Sequence, residues 1–144
     1  MPSLAELRAA RAAARADLLT ALRDAGPAWQ RRPAGGSGED AWSPRQAAEH
    51  VVGTVPLFAR AVCRATFRPP PESDLDSRNL QLPTAGDALF ALGRVTEYDD
   101  AALRGLTSDD LARPHERFAT VAGLIETATH HLREHAAQIR AASA

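Results

Sequence analysis

The sequence predicts an all-α fold, a four-helix bundle. Four stretches carry apolar residues at helical spacing, and each opens on a capping residue. No stretch alternates apolar and polar residues over a useful strand length. The intervals between the periodic stretches collect proline, glycine and charge, as connections do. With 144 residues, the chain is long enough for one domain with its own core, spanning 1–144.

The first helix opens at Ser3-Leu4-Ala5-Glu6, a capping box in which Ser3 caps and Glu6 reaches back. Leu4, Leu7, Ala14, Leu18 and Leu22 form its apolar stripe, and Gly26-Pro27 ends it. Pro27 to Ala41 reads as an exposed loop. The second helix follows Trp42-Ser43-Pro44-Arg45-Gln46. Ser43 caps, Pro44 suits the first helical position, Gln46 completes the box and Trp42 stands at the staple position. Ala47, His50, Thr54, Leu57 and Ala61 share one face, while Ala48, Val51, Val55, Phe58 and Val62 share the next. Two adjacent apolar faces predict several helix neighbours. Pro56 removes a backbone donor and predicts a kink between Val52 and Pro56.

Phe67 to Pro83 contains Pro69-Pro70-Pro71 and is longer than bundle connections usually are. Extended at roughly 3.3 Å per residue, it spans a neighbouring helix. A crossover of this kind lets the second and third helices run parallel. Thr84 and Asp87 open the third helix, which carries Ala88, Leu89, Leu92, Val95 and Leu103. Leu106 to Ala119 forms another connection, with Pro114-His115 inside it. Thr120 caps the fourth helix, where Val121, Leu124, Ala128, His131, His135 and Ala142 form a heptad-like seam.

Composition narrows the function classes. The net charge is -1, so no global field recruits nucleic acid or a membrane surface. All 17 basic residues are arginine. That pattern reads as coding bias, and Arg31-Arg32 as solvated surface. Cys63 is the single cysteine, which rules out an intramolecular disulfide. Its apolar helical setting predicts a small buried side chain, not a nucleophile. The N-terminus lacks the apolar core of a signal peptide, and no apolar run nears the ~20 residues of a membrane span. The expected location is the cytoplasm. Serines lack triad context and no phosphate-binding glycine loop occurs.

Histidines supply the candidate chemistry. His131 follows Leu124 by seven residues, and His135 follows Ala128 by seven, so both share the core seam. They are i and i+4 on one helix face, a spacing at which two imidazoles grip one metal ion. His130 points about 100° away and reads as a flank. His50 meets the pair if the second and fourth helices are neighbours. Three neutral imidazoles leave coordination positions open, as in catalytic metal sites. The competing reading is three inward histidines satisfied by hydrogen bonds. His115, beside Pro114 in a loop, reads as a packing or surface residue. Glu49 and Glu134 each precede a candidate ligand, which rotates them off its face, so both read as surface carboxylates. Gln138 either lines the pocket or ends the helix. Tyr98 and Asp99 are candidates for bordering the cavity. No acid/base residue emerges.

Trp42-Ser43-Pro44-Arg45-Gln46-Ala47-Ala48-Glu49-His50 and His131-Leu132-Arg133-Glu134-His135-Ala136-Ala137-Gln138-Ile139 together resemble the DinB-like superfamily, which includes metal-dependent thiol S-transferases. The segment from Trp42 to His50 is similar to that family's second-helix opening, with its Trp-Ser-Pro start and histidine ligand. The segment from His131 to Ile139 is similar to its terminal His-x3-His-x2-Gln-Ile pattern. Pro114-His115 departs from the family's His-Pro-Gly order, so the substrate-side loop is expected to diverge. The resemblance implies an up-down-down-up bundle, a divalent metal (zinc or nickel) on His50, His131 and His135, and a homodimer. It also implies a low-molecular-weight thiol, such as bacillithiol, mycothiol or glutathione, transferred to a small-molecule electrophile. The family's damage-inducible label describes expression and implies no nucleic-acid partner. Two other readings remain open: a metal-dependent hydrolase, and a stress-linked metal- or ligand-binding bundle without turnover.

Overall fold

The computed structural model describes residues 1–144. Helices α1 (Leu4–Asp24), α2 (Pro44–Ala65), α3 (Ala85–Leu103) and α5 (Val121–Ser143) are the long elements. A one-turn helix α4 (Ser108–Leu111) and two-residue strands β1 (Pro114–His115) and β2 (Ala119–Thr120) occupy the connection before α5. That hairpin is too short to carry a readable alternation, and the helical periodicity announces neither it nor α4, since both lie where the sequence reads as a plain connection. Every cap expected from the sequence forms. Ser3 with Glu6, Ser43 with Gln46 and Thr84 with Asp87 close capping boxes, and Thr120 accepts from the Gly123 N–H. Pro56 leaves the Val52 carbonyl without its usual donor. Even so, α2 continues as one helix through Pro56, which is buried along with Val51, Val52, Val55 and Ala59.

Side-chain contacts give the helix directions. Arg8 near the start of α1 donates to the Leu103 and Arg104 carbonyls at the end of α3, so this pair is antiparallel. Arg60 of α2 donates to Tyr98 of α3, and Cys63 to the Ala102 carbonyl, so α2 and α3 run parallel. Leu7 packs in one cluster with Val121 and Ile125, while Arg140 donates to Asp17, so α1 and α5 also run parallel. The order around the bundle is α1, α5, α2, α3, with up-down-down-up directions.

The crossover from α2 to α3 makes the parallel pair workable. It returns along α2, where the Ser77 carbonyl presses on Gly53 so closely that a Cβ would stand 2.5 Å from it. Its far end is pinned twice: Glu49 accepts from the Leu82 N–H at 2.9 Å, and the Trp29 indole donates to the Leu82 carbonyl at 2.9 Å. Trp29 is therefore buried, although its surroundings read as an exposed loop. Leu57, on a face expected to turn inward, is exposed.

Two main apolar clusters fill the bundle. One gathers Leu18, Leu22, Val51, Val52, Leu92, Val95, Leu132 and Ile139. The other gathers Leu7, Val62, Leu103, Leu106, Leu111, Val121 and Leu124. Arg11 and Asp99, both buried, bridge α1 to α3 through Nε at 2.8 Å and Nη2 at 3.2 Å.

Candidate metal centre

The capping box at Ser43 sets the register of α2. Ala47 and Val51 then enter the core, and His50 lies on the edge facing α5. The seam of α5 brings His131 and His135 to that edge one turn apart. His131 Nε2 stands 3.3 Å from His50 Nε2 and 3.1 Å from His135 Nε2. One ligand nitrogen from each of the three lies within 4.8 Å of the others. A cation held at about 2.0–2.1 Å in a tetrahedron separates its nitrogen ligands by about 3.3 Å. The separations of 3.3 Å and 3.1 Å lie close to that edge.

Hydrogen bonds on the far side of two rings decide where their lone pairs point. Thr54 Oγ1 spends its only proton on the Val51 carbonyl at 2.7 Å, so toward His131 Nδ1, 3.4 Å away, it accepts. Gln138 Nε2 donates to the Glu39 carbonyl, which leaves Gln138 Oε1 to accept from His135 Nδ1 at 2.5 Å. Both rings thus carry their proton on Nδ1, and both Nε2 atoms present lone pairs. Two lone pairs at 3.1 Å repel each other unless a cation lies between them. The donor set fits a divalent ion of borderline softness.

The electrostatics favour the neutral form of His131 and of His50. Burial pushes the His131 pKa from 6.5 down to about 4, and His135 and His50 push the same way. Burial also lowers His50, with His135 adding to the effect and Glu39 opposing it. Neutral imidazole is the ligating form.

The DinB superfamily pattern matches residues 26–139, which covers all three histidines. The chain belongs to the DinB superfamily. No curated protein and no solved structure matches it.

In this DinB-superfamily chain the remaining candidates separate cleanly. His130 pairs with Glu134 at 3.0 Å on the exposed side of α5. His115 stays in the β hairpin, where its Nδ1 accepts from the Arg117 and Phe118 N–H groups. Glu49 is no solvated carboxylate: besides the Leu82 N–H it binds Arg45 at 3.1 Å, so its role is to hold the crossover. Asp99 turns to Arg11 and Arg15, and the Tyr98 hydroxyl accepts from Arg60, so neither is bonded to the triad. Cys63 is buried between α2 and α3, and burial raises its thiol pKa.

Several residues that complete the site are less visible in the sequence. Trp42 stacks on His135 with centroids 6.4 Å apart and tilts against His50 at 5.3 Å. Phe58 packs on His131 at 5.9 Å and on Phe118 at 6.5 Å. Thr54 shares a helix face with His50, which is a readable signal. Glu39 stands in a glycine-rich interval with no periodicity, and nothing in the sequence points to it.

Proposed function

We propose that this chain is a divalent-metal-dependent enzyme of the thiol S-transferase type, with His50, His131 and His135 as the metal ligands and zinc or nickel as the ion. The observation that carries this reading is the convergence of imidazole nitrogens whose lone pairs are forced together at 3.1 Å. A divalent ion at three imidazoles supplies a Lewis acid with a coordination position left for a thiol, whose pKa it lowers. The protein's part is orientation and shielding. Thr54 and Gln138 hold the proton of each ring on Nδ1, as outer hydrogen-bond partners of metal-ligating histidines do. Trp42 walls one side of the cluster and Phe58 another.

The thiol has to come from outside the chain. Its one cysteine, Cys63, donates to the Ala102 carbonyl away from the triad. A low-molecular-weight thiol and a small electrophile are therefore the expected substrates. The test has two stages. Elemental analysis of the purified protein finds near-stoichiometric metal, and His50→Ala, His131→Ala and His135→Ala each lose most of it. The metal-loaded protein then consumes glutathione or a related thiol only in the presence of an electrophile. Metal content unchanged in all three variants refutes the ligand set.

An alternative reading, a metal- or ligand-binding bundle without turnover, is favoured by one observation. No carboxylate side chain is hydrogen-bonded to a ligand histidine, because Glu49 and Glu134 are committed elsewhere. Loaded protein that binds thiol and never turns over supports it. Hydrolysis of an ester or amide without added thiol supports the hydrolase instead.

A further inference from the structure

We propose that Gln138 is a positioning residue that couples the turn at Gly38–Ala41 to the metal centre. The inference rests on the metal reading above and adds to it a part of the chain that supplies no ligand. Gln138 lies three residues beyond His135 on α5 and is half-buried. One end of its amide meets His135 Nδ1 and the other meets the Glu39 carbonyl. A carbonyl can only accept, so the turn dictates which end of the amide faces the histidine.

The consequence runs to the ligand atom. With the Glu39 carbonyl in place, Gln138 offers Oε1, His135 keeps its proton on Nδ1, and Nε2 is free to ligate. With the carbonyl displaced, the amide can flip and offer Nε2–H. His135 Nδ1 must then accept, which moves the ring proton to Nε2 and blocks ligation. The turn therefore locks one of the three ligands in its binding tautomer. By linkage, metal binding holds the turn in return. The same turn leads directly into Trp42, which stacks on His135.

The turn can be disturbed without touching a ligand. Gly36 sits at φ +77°, and a Cβ there would meet the Asp40 Cβ and carbonyl oxygen at 3.2 Å. Gly36→Val strains the segment that seats the Glu39 carbonyl.

The experiment measures zinc affinity by chelator competition, the thermal midpoint of the metal-free protein, and the His135 tautomer by nitrogen NMR. Gln138→Leu is expected to weaken zinc binding about 10–100-fold and to mix the tautomers. Gln138→Glu, whose carboxylate only accepts, is expected to restore the Nδ1–H form and bring affinity back within several-fold of wild type. Gly36→Val is expected to weaken zinc binding when Gln138 is present and to add nothing on the Gln138→Leu background. Wild-type affinity in Gln138→Leu, or losses from Gly36→Val and Gln138→Leu that simply add, overturns the coupling. A wild-type protein that takes up neither zinc nor nickel removes the metal reading alone. The tautomer of the metal-free proteins still decides here: a His135 proton that stays on Nδ1 in Gln138→Leu overturns the proposal.

Discussion

At His131, burial and two neighbouring imidazoles act in the same direction. Arg11 adds to them and only Glu134 opposes. An unfolded histidine takes up its proton near pH 6.5, whereas folded His131 does so only near pH 4. Between those values the unfolded chain binds more protons, so stability falls as pH drops through that window and is unaffected by this residue above it. The expected result is a thermal midpoint of metal-free protein that declines between pH 6.5 and 4 more steeply than that of His131→Asn. Parallel pH curves for the two proteins would contradict it. His131 and His135 are legible in the sequence because a seven-residue step from Leu124 and Ala128 carries them onto the seam. Their tautomers are not legible. Each depends on the obligate acceptor behind Thr54 or Gln138, and in both cases that acceptor is a backbone carbonyl.

Among the elements, α1 buries an arginine, Arg11. Arg11 stands four residues after Leu7 and three before Ala14, inside the apolar stripe, and that position is itself a signal of burial. Its partner Asp99 accepts from Arg11 and from Arg15 at 2.6 Å, so one carboxylate staples the antiparallel helices α1 and α3. Removing one member leaves the other buried and unpaired. Asp99→Ala is therefore expected to cost about 3–5 kcal/mol, read by denaturant unfolding. A loss under about 1 kcal/mol would mean that water reaches Arg11. The helix starts show the opposite situation. Ser3, Ser43, Thr84 and Thr120 cap as the sequence predicts, because a cap is a contact between residues three apart. The pairing of Arg11 with Asp99 spans α1 and α3, and no local pattern encodes it.

For the whole molecule, the long α2–α3 connection settles the topology. It lets two helices run parallel, which places α2 beside α5 and so His50 beside His131. Its return path depends on Gly53, where the Ser77 carbonyl leaves no room for a Cβ. Gly53→Ala is expected to lower the thermal midpoint, because the clash outweighs the roughly 1 kcal/mol gain in helix propensity. Gly93→Ala, with nothing within 4 Å of the added methyl, is expected to raise it. Midpoints that move the same way in both would show that the crossover does not hold its place on α2. The sequence by itself determined the four long helices, their starts, the α2 face of Val51 and Val55, the α5 seam and the three histidines, since all of these rest on spacing within one element. The tertiary structure alone decided that the three rings meet, that Glu49 serves the crossover, and that Gln138 answers to the Glu39 carbonyl. Those contacts join residues 33, 81 and 99 positions apart, where periodicity carries no information and only the path of the folded chain does.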